Sequence, residues 1–303
     1  KMVDVLSLGA GPAGLTAGLY AARAALKTQI LEGLVPGGQA APTYEVANFP
    51  GFLSVGGGEL SEKMLEQATA AGAELCYDEV REVRFSDGEK KLIGYSGEYT
   101  GRALIVATGA KKRTLGIPGE AELAGSGVSY CATCDGGFFK GREVAVVGGG
   151  NTALEDALYL SNLCRKVTLI HRRDSFRGQA VLSAQIAARE NIEVLYSTRV
   201  LRAEGSGRLE RLILQTPQGE RALAADGLFV AVGTVPATEL FRGLLPLDES
   251  GYLEAGEDTC TGVPGVFAAG DARRRPIKQI VTACADGATA AQAALSYLQE
   301  AAQ

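Results

Sequence analysis

The feature that most constrains this 303-residue chain is a glycine-rich turn that occurs twice in one register. The first copy reads Gly9-Ala10-Gly11-Pro12-Ala13-Gly14 and follows a short apolar run over residues 3–8. A run of this length closed by glycine predicts a buried strand. The alanine-rich residues 15–26 predict a helix, and residues 28–31 a second strand ending at Glu32. Strand, G-x-G-x-x-G turn, helix, strand and terminal acid together form a dinucleotide-binding unit. Gly9 permits the tight turn, Gly11 lets backbone approach a pyrophosphate, and Gly14 lets the helix pack on the sheet. Pro12 and Ala13 complete the turn. The helix N-terminus then faces the phosphates with its positive dipole end. Glu32, 18 residues beyond Gly14, holds the position of a carboxylate that bonds ribose hydroxyls. A glycine turn without a ligand is the alternative for a lone motif; the full context favours the nucleotide.

The second copy opens with a strand over residues 144–147. Gly148-Gly149-Gly150-Asn151-Thr152-Ala153 follows, with alanine in the third glycine place. A helix over 154–162 and a strand over 167–170 come next, and the strand ends at His171. Gly9 and Gly148, Gly14 and Ala153, and Glu32 and His171 are each 139 positions apart. A further apolar strand, residues 104–109, is echoed at residues 228–233, 124 positions on. The chain carries one unit twice. Its 40 glycines, close to twice the usual share of about 7%, belong at turns and close backbone approaches.

The copies differ where the second strand ends. Glu32 suits a free ribose 2′-hydroxyl. His171-Arg172-Arg173, with Arg177 shortly after, suits a 2′-phosphate, because guanidinium geometry matches phosphate oxygens. The second site is therefore expected to hold NADPH, with His171 flanking the phosphate rather than moving protons. A solvated helix cap is the plainer alternative for the arginines.

Between the two turns stands Cys131-Ala132-Thr133-Cys134-Asp135. A C-x-x-C serves either a metal or a redox disulfide. A structural zinc needs four ligands, whereas Cys76, Cys164, Cys260 and Cys284 are scattered singly and His171 is the only histidine. Two structural thiols remain an alternative to a redox pair. Asp135 is either a proton donor to a departing thiolate or a turn residue capping the next helix. NADPH delivers a hydride, and a disulfide is a poor direct hydride acceptor. A flavin bridges the two, so the first site is expected to hold FAD.

The remaining chain fits an α/β fold of two Rossmann-like three-layer nucleotide-binding domains. A strand near residues 265–271 has no third glycine turn and is assigned to the first sheet; residues 286–300 predict a closing helix. The NADPH domain, residues 117–246, is thus inserted into a discontinuous FAD domain, residues 1–116 and 247–303. A net charge of −5 argues against general nucleic-acid binding. No apolar run reaches the roughly 18 residues of a membrane span. The scattered cysteines and the lack of an export signal point to the cytoplasm.

These motifs, in this order, resemble those of the bacterial low-molecular-weight thioredoxin reductases over essentially the whole chain. The resemblance rests on both glycine turns, Gly37-Gly38-Gln39, Asn48-Phe49-Pro50-Gly51, Ala107-Thr108-Gly109, the cysteine pair, His171 to Arg177, and Gly270-Asp271. It implies a homodimer with one FAD per subunit, NADPH as donor and thioredoxin as acceptor, with no nucleic acid or membrane. It implies FAD contacts at Gly9, Gly11, Pro12, Ala13, Gly14, Glu32, Gly38, Gln39, Asn48 and Val83. Thr108, Gly109, Gly270, Asp271, Gln279 and Ile280 complete that set. For NADPH it implies Gly148, Gly150, Asn151, Thr152, His171, Arg172, Arg173, Arg177 and Gly233. Cys131, Cys134 and Asp135 become the catalytic group, with Cys134 nearer the flavin, and Phe138 and Phe139 dock thioredoxin. The family's cation before Gln279 is arginine; here it is Lys278. Arg273, Arg274 and Arg275 match no family motif and read as a solvated loop, with a partner-facing run as the alternative. The family also alternates the disulfide between flavin and thioredoxin by rotating the inserted domain. A reductase of another thioredoxin-like protein, and a non-catalytic redox sensor, are the alternatives.

Overall fold

The computed structural model describes residues 2–43, 45–86 and 88–301. The chain opens with β1 (Val3–Leu8), α1 (Pro12–Arg23), β2 (Thr28–Glu32), α2 (Gly57–Ala70) and β3 (Glu74–Tyr77). An antiparallel ladder follows: β4 (Val80–Ser86), β5 (Glu89–Gly94) and the long β6 (Glu98–Val106). The chain crosses to a second unit in β7 (Ala110–Lys112). That unit holds β8 (Val128–Ser129), α3 (Ala132–Asp135), β9 (Glu143–Val147), α4 (Asn151–Ser161), β10 (Lys166–Ile170), α5 (Ala180–Ala187) and β11 (Ile192–Leu195). An antiparallel meander of β12 (Arg199–Glu204), β13 (Arg211–Thr216) and β14 (Gly219–Ala224) leads into β15 (Gly227–Val230). The chain returns through β16 (Thr234–Pro236) and ends with β17 (Val266–Ala268) and α6 (Ile280–Glu300).

Each unit is built on a parallel sheet with the same plan. In the first the parallel order is β3-β2-β1-β6-β17; in the second it is β11-β10-β9-β15-β8. Val5 lies opposite Thr28 and Val144 opposite Val167, so even the strand register repeats at the 139-residue interval. β6 and β15, the echoed strands, take the same place beside β1 and β9. Both central strands are apolar on both faces, because both faces are covered. In the first unit α1 and α6 lie on one face, while the other packs on β4, β5 and residues 241–253. In the second α4 lies on one face and the β12–β14 meander on the other. β17 pairs with β6, which puts the strand before Asp271 in the first sheet as expected.

The units comprise residues 1–111 with 235–303, and residues 112–234. The crossings thus fall earlier than the expected 116/117 and 246/247. Packing explains both differences. Leu115 and Ile117 cover the second unit's core beside Leu123 and Leu228. Phe241 and Leu245 are buried in the first unit's core with Leu31 and Leu92. Pro118 and Gly119 lie inside the second unit, where the Gly119 α-position faces the Ala203 carbonyl.

Two helices start earlier than their apolar periodicity suggests. α1 begins at Pro12, a residue already set for the first helical position. α6 begins at Ile280, six residues ahead of expectation. A capping box fixes that start: Thr282 Oγ1 accepts the Gln279 N–H at 3.0 Å, and the Gln279 side chain accepts the N–H of Thr282. α6 packs tightly on α1. A Cβ on Gly287 would lie 2.2 Å from the Ala13 carbonyl oxygen, so only glycine allows the approach. This contact locks the helix of the first glycine turn against the helix that follows Asp271.

Candidate functional site

In the first unit the three motif glycines have distinct surroundings. Gly9 has φ +105°, and a Cβ there would meet the Ala107 carbonyl at 2.4 Å. A Cβ on Gly14 would sit 1.8 Å from the Gly9 carbonyl. Gly11 alone faces open space, with only the Gly38 Cα at 3.9 Å from its missing Cβ. The Glu32 carboxylate is pre-set by two amides: Oε2 accepts the Ala10 N–H at 2.9 Å and Oε1 the Leu34 N–H at 3.0 Å. Gly37 donates its N–H to the Ala10 carbonyl at 2.7 Å, which brings the Gly38-Gln39 turn beside the glycine loop.

The other expected contacts of this unit are tied to one another. Gln39 Nε2 donates to the Ala110 carbonyl. Asn48 Nδ2 donates to Gln279 Oε1 at 3.1 Å, across 231 residues of sequence. Ile280 packs against Val46 and Leu60. Thr108 Oγ1 is buried with no hydrogen-bond partner among the described residues, and Gly109 turns with φ +69° into open space. Val83 packs in the core with Leu92, so its side chain serves packing and only its backbone is offered to a ligand. An open glycine turn before a helix, a fixed carboxylate and an unpartnered buried hydroxyl are the donor set of a dinucleotide site.

Next to Asp271 the arginine run departs from expectation. Arg273 is buried and Arg275 half-buried; only Arg274 is exposed. Both buried guanidinium groups face Asp286 on α6, Arg275 Nη1 at 2.5 Å and Arg273 Nη1 at 3.6 Å. Asp286 Oδ2 also accepts the Gly270 N–H at 3.0 Å. The run is therefore an internal clamp on the Gly270-Asp271 turn, not a solvated loop. Lys278 lies over the Tyr252 ring, 3.7 Å from its centroid.

In the second unit Gly148 makes the tight turn: a Cβ would meet the Ala231 carbonyl at 2.4 Å. Gly150 faces open space, as Gly11 does, and so does Gly233. Arg172, Arg173 and Arg177 are exposed and take part in no ion pair among the described residues. The Arg177 and Gly178 N–H groups donate to the Gly149 carbonyl at 2.7 and 3.1 Å. Asn151 Oδ1 accepts the Gln179 N–H at 2.8 Å, while Thr152 is exposed at the start of α4. His171, expected to flank the phosphate, is buried. Burial lowers its pKa, and Arg177, Arg173 and Arg172 lower it further against a backbone hydrogen bond at Ser175. It is a neutral packing group.

Cys131 and Cys134 form a disulfide. Cys131 precedes α3 in extended backbone, and both cysteines are half-buried. Asp135 ends α3, and its carboxylate Oδ2 accepts the Ser129 hydroxyl at 2.5 Å. Ser129 Oγ also accepts the Cys131 N–H at 3.1 Å. Ser129 thus ties the first cysteine to the carboxylate. It was invisible in the motif, although a serine two residues before the cysteine is a known local turn device. One residue on, the Tyr130 hydroxyl donates to the buried Glu120 at 3.0 Å, and Glu120 also accepts the N–H groups of Leu115 and Gly116. Burial and then Glu120 push the Tyr130 phenol up to about 12.

The aromatic pair after the cysteines splits. Phe138 is 47% exposed, whereas Phe139 packs edge-on against Phe229 with centroids 5.3 Å apart. Phe139 belongs to the core, where Gly227 leaves it room. The four single cysteines also differ: Cys164 is buried, Cys76 and Cys284 are half-buried, and Cys260 is exposed. Burial pushes the Cys76 and Cys164 thiols up to about 11 and raises Cys260 and Cys284, which disfavours the reactive thiolate.

Known proteins share this layout. The pyridine nucleotide-disulphide oxidoreductase family model matches residues 3–287. The chain is 45% identical to a thioredoxin reductase of Bacillus subtilis (strain 168), over 99% of this chain and 96% of that one. It is also 45% identical to one from Listeria innocua, over 99% and 95%. Among solved structures, thioredoxin reductase from Streptococcus pyogenes superposes with a TM-score of 0.95 at 37% identity, over 99% of both chains. That of Giardia duodenalis gives 0.94 at 38%, again over 99% of both. With two nucleotide turns and a disulfide carried on the second unit, the chain belongs to the pyridine nucleotide-disulphide oxidoreductase family.

Proposed function

We propose that this chain is a thioredoxin-disulfide reductase in which electrons pass from NADPH through FAD to the Cys131–Cys134 disulfide, and then to thioredoxin. The observation that carries the reading is a formed C-x-x-C disulfide on the unit whose glycine turn is flanked by three arginines that join no ion pair among the described residues. FAD, when bound, supplies the step between a hydride donor and sulfur. The first unit holds it: Gly11, Ala13 and Gly14 line the phosphate turn, and Glu32 takes the ribose. Thr108, Gly109, Gln39, Asn48, Asp271, Gln279 and Ile280 complete the site. In the second unit Gly148, Gly150, Asn151 and Thr152 take the pyrophosphate of NADPH, with Gly233 beside them. Arg172, Arg173 and Arg177 take its 2′-phosphate by charge-assisted hydrogen bonds.

Two electrons and two protons convert the disulfide into two thiols. Asp135, fixed by Ser129 beside the cysteine pair, is the group that holds a proton for the departing thiolate. In the outward step the Cys131 thiolate attacks thioredoxin's disulfide, one thioredoxin sulfur leaves, and a mixed disulfide forms. Cys134 then attacks Cys131, releases the second thiol and restores the internal disulfide. The exposed ring of Phe138 offers thioredoxin an apolar contact. The likeness to bacterial reductases supports a cytoplasmic homodimer.

The Cys134→Ser variant tests the relay. It is expected to lose thioredoxin reduction while NADPH still bleaches the flavin absorbance. Retained thioredoxin reduction rejects the disulfide's role.

A further inference from the structure

The middle residue of the second glycine turn has no assigned purpose, since the fingerprint constrains its neighbours Gly148 and Gly150. Its surroundings are unusual. A Cβ on Gly149 would fall inside the His171 ring, 2.2 Å from Cε1, 2.3 Å from Nδ1 and 2.6 Å from Nε2. The Gly149 backbone is not in the left-handed region, so conformation does not require glycine here. The ring requires it. His171 is only 4% exposed, and its Nε2 is buried with no hydrogen-bond partner among the described residues. Its ring centroid lies 5.7 Å from that of Phe176, whose ring in turn lies tilted 5.0 Å from that of Tyr196.

The other side of Gly149 faces the arginine loop. Its carbonyl accepts both the Arg177 and the Gly178 N–H groups. One glycine therefore touches the nucleotide turn through its chain neighbours, the buried histidine through its missing side chain, and the arginine loop through its oxygen. Arg177 makes no other long-range hydrogen bond among the described residues. A shift of a few tenths of an ångström at Gly149 would carry with it the carbonyl oxygen on which the Arg177 N–H rests.

We propose that Gly149 and His171 act together as a positioning pair that sets Arg177 against the glycine turn, and so determines preference for a 2′-phosphorylated adenine nucleotide. His171 acts through Gly149 by packing. It contributes neither a proton nor a charge. This rests on the reading of the second unit as the NADPH site.

The test is calorimetric titration of the flavin-loaded protein with adenosine 2′,5′-bisphosphate and with 5′-AMP. The wild type is expected to bind the bisphosphate more tightly; equal affinity would overturn the reading of the site, and the proposal with it. Gly149→Ala is expected to lower the bisphosphate affinity about tenfold, the scale of one charge-assisted hydrogen bond, with a much smaller change for 5′-AMP. His171→Ala, which takes away the ring that backs Gly149, is expected to lower the bisphosphate affinity to a similar extent, again with little change for 5′-AMP. An unchanged preference in Gly149→Ala overturns the proposal, as does an unchanged preference in His171→Ala. If Gly149→Ala does not fold, His171→Ala decides alone: it must fold and lose the preference.

Discussion

At the scale of single residues, the second unit is organised by buried groups that hold exposed ones. Ser129 holds Cys131 and Asp135, Glu120 holds Tyr130, and His171 backs the glycine turn. Asp156 on α4 is the exception, because it is half-buried and makes no hydrogen bond through its side chain among the described residues. Burial pushes its carboxyl up to about 7, Glu155 adds to this, and Lys112 opposes it. The native state therefore binds its proton more tightly than the unfolded chain, whose ordinary value is 3.8. Stability from this group falls as pH rises from about 4 to about 7, and the cost is complete above that. Asp156→Asn is thus expected to melt higher than wild type at pH 8 and about equally at pH 4. Partial exposure screens the gain to about 1–2 kcal/mol. Thermal melts at the two pH values check this; a gain at pH 4 alone contradicts it. The cysteine pair, both glycine turns and the arginines were legible in the sequence because each is a local pattern. Ser129, the burial of His171 and the inward turn of Phe139 were not, because they depend on which strand lies alongside.

At the scale of elements, the close crossing of α1 and α6 matters most to the first site. It joins the helix after Gly11 to the helix after Asp271, and Asp286 extends the tie to Gly270. Gly287→Val places two methyl groups and a Cβ where the Ala13 carbonyl stands. Overpacking of this kind costs about 1–3 kcal/mol. The expected result is a lower melting temperature together with faster loss of bound flavin on dilution. An unchanged melting temperature and full flavin retention would show that the crossing relaxes freely. Periodicity located α1 and α4 but set the start of α6 six residues late. The missed turn begins with Ile280-Val281, and its signal was the capping pair Gln279 and Thr282 rather than apolar spacing. The arginine run near Asp271 misled for a similar reason. Charge in sequence reads as solvated, yet its partner Asp286 lies more than ten residues away on a different element.

At the scale of the whole molecule, one sheet plan is used twice with opposite chemistry at the end of the second strand. The first copy presents a carboxylate held by backbone amides; the second presents arginines backed by a buried histidine. The duplication was legible from the 139-residue register alone, and strand pairing repeats it residue for residue. The crossing points were less legible. Turn residues mark where a chain bends, but the side chains of Leu115 and Phe241 decide to which core each segment belongs. The account depends on the two copies serving one electron path that ends at the disulfide. Steady-state oxidation of NADPH by the flavin-loaded protein, with and without oxidised thioredoxin, tests it most directly. The account predicts sustained turnover only when thioredoxin is present, and much slower turnover with NADH. NADPH oxidation that thioredoxin does not accelerate would contradict it.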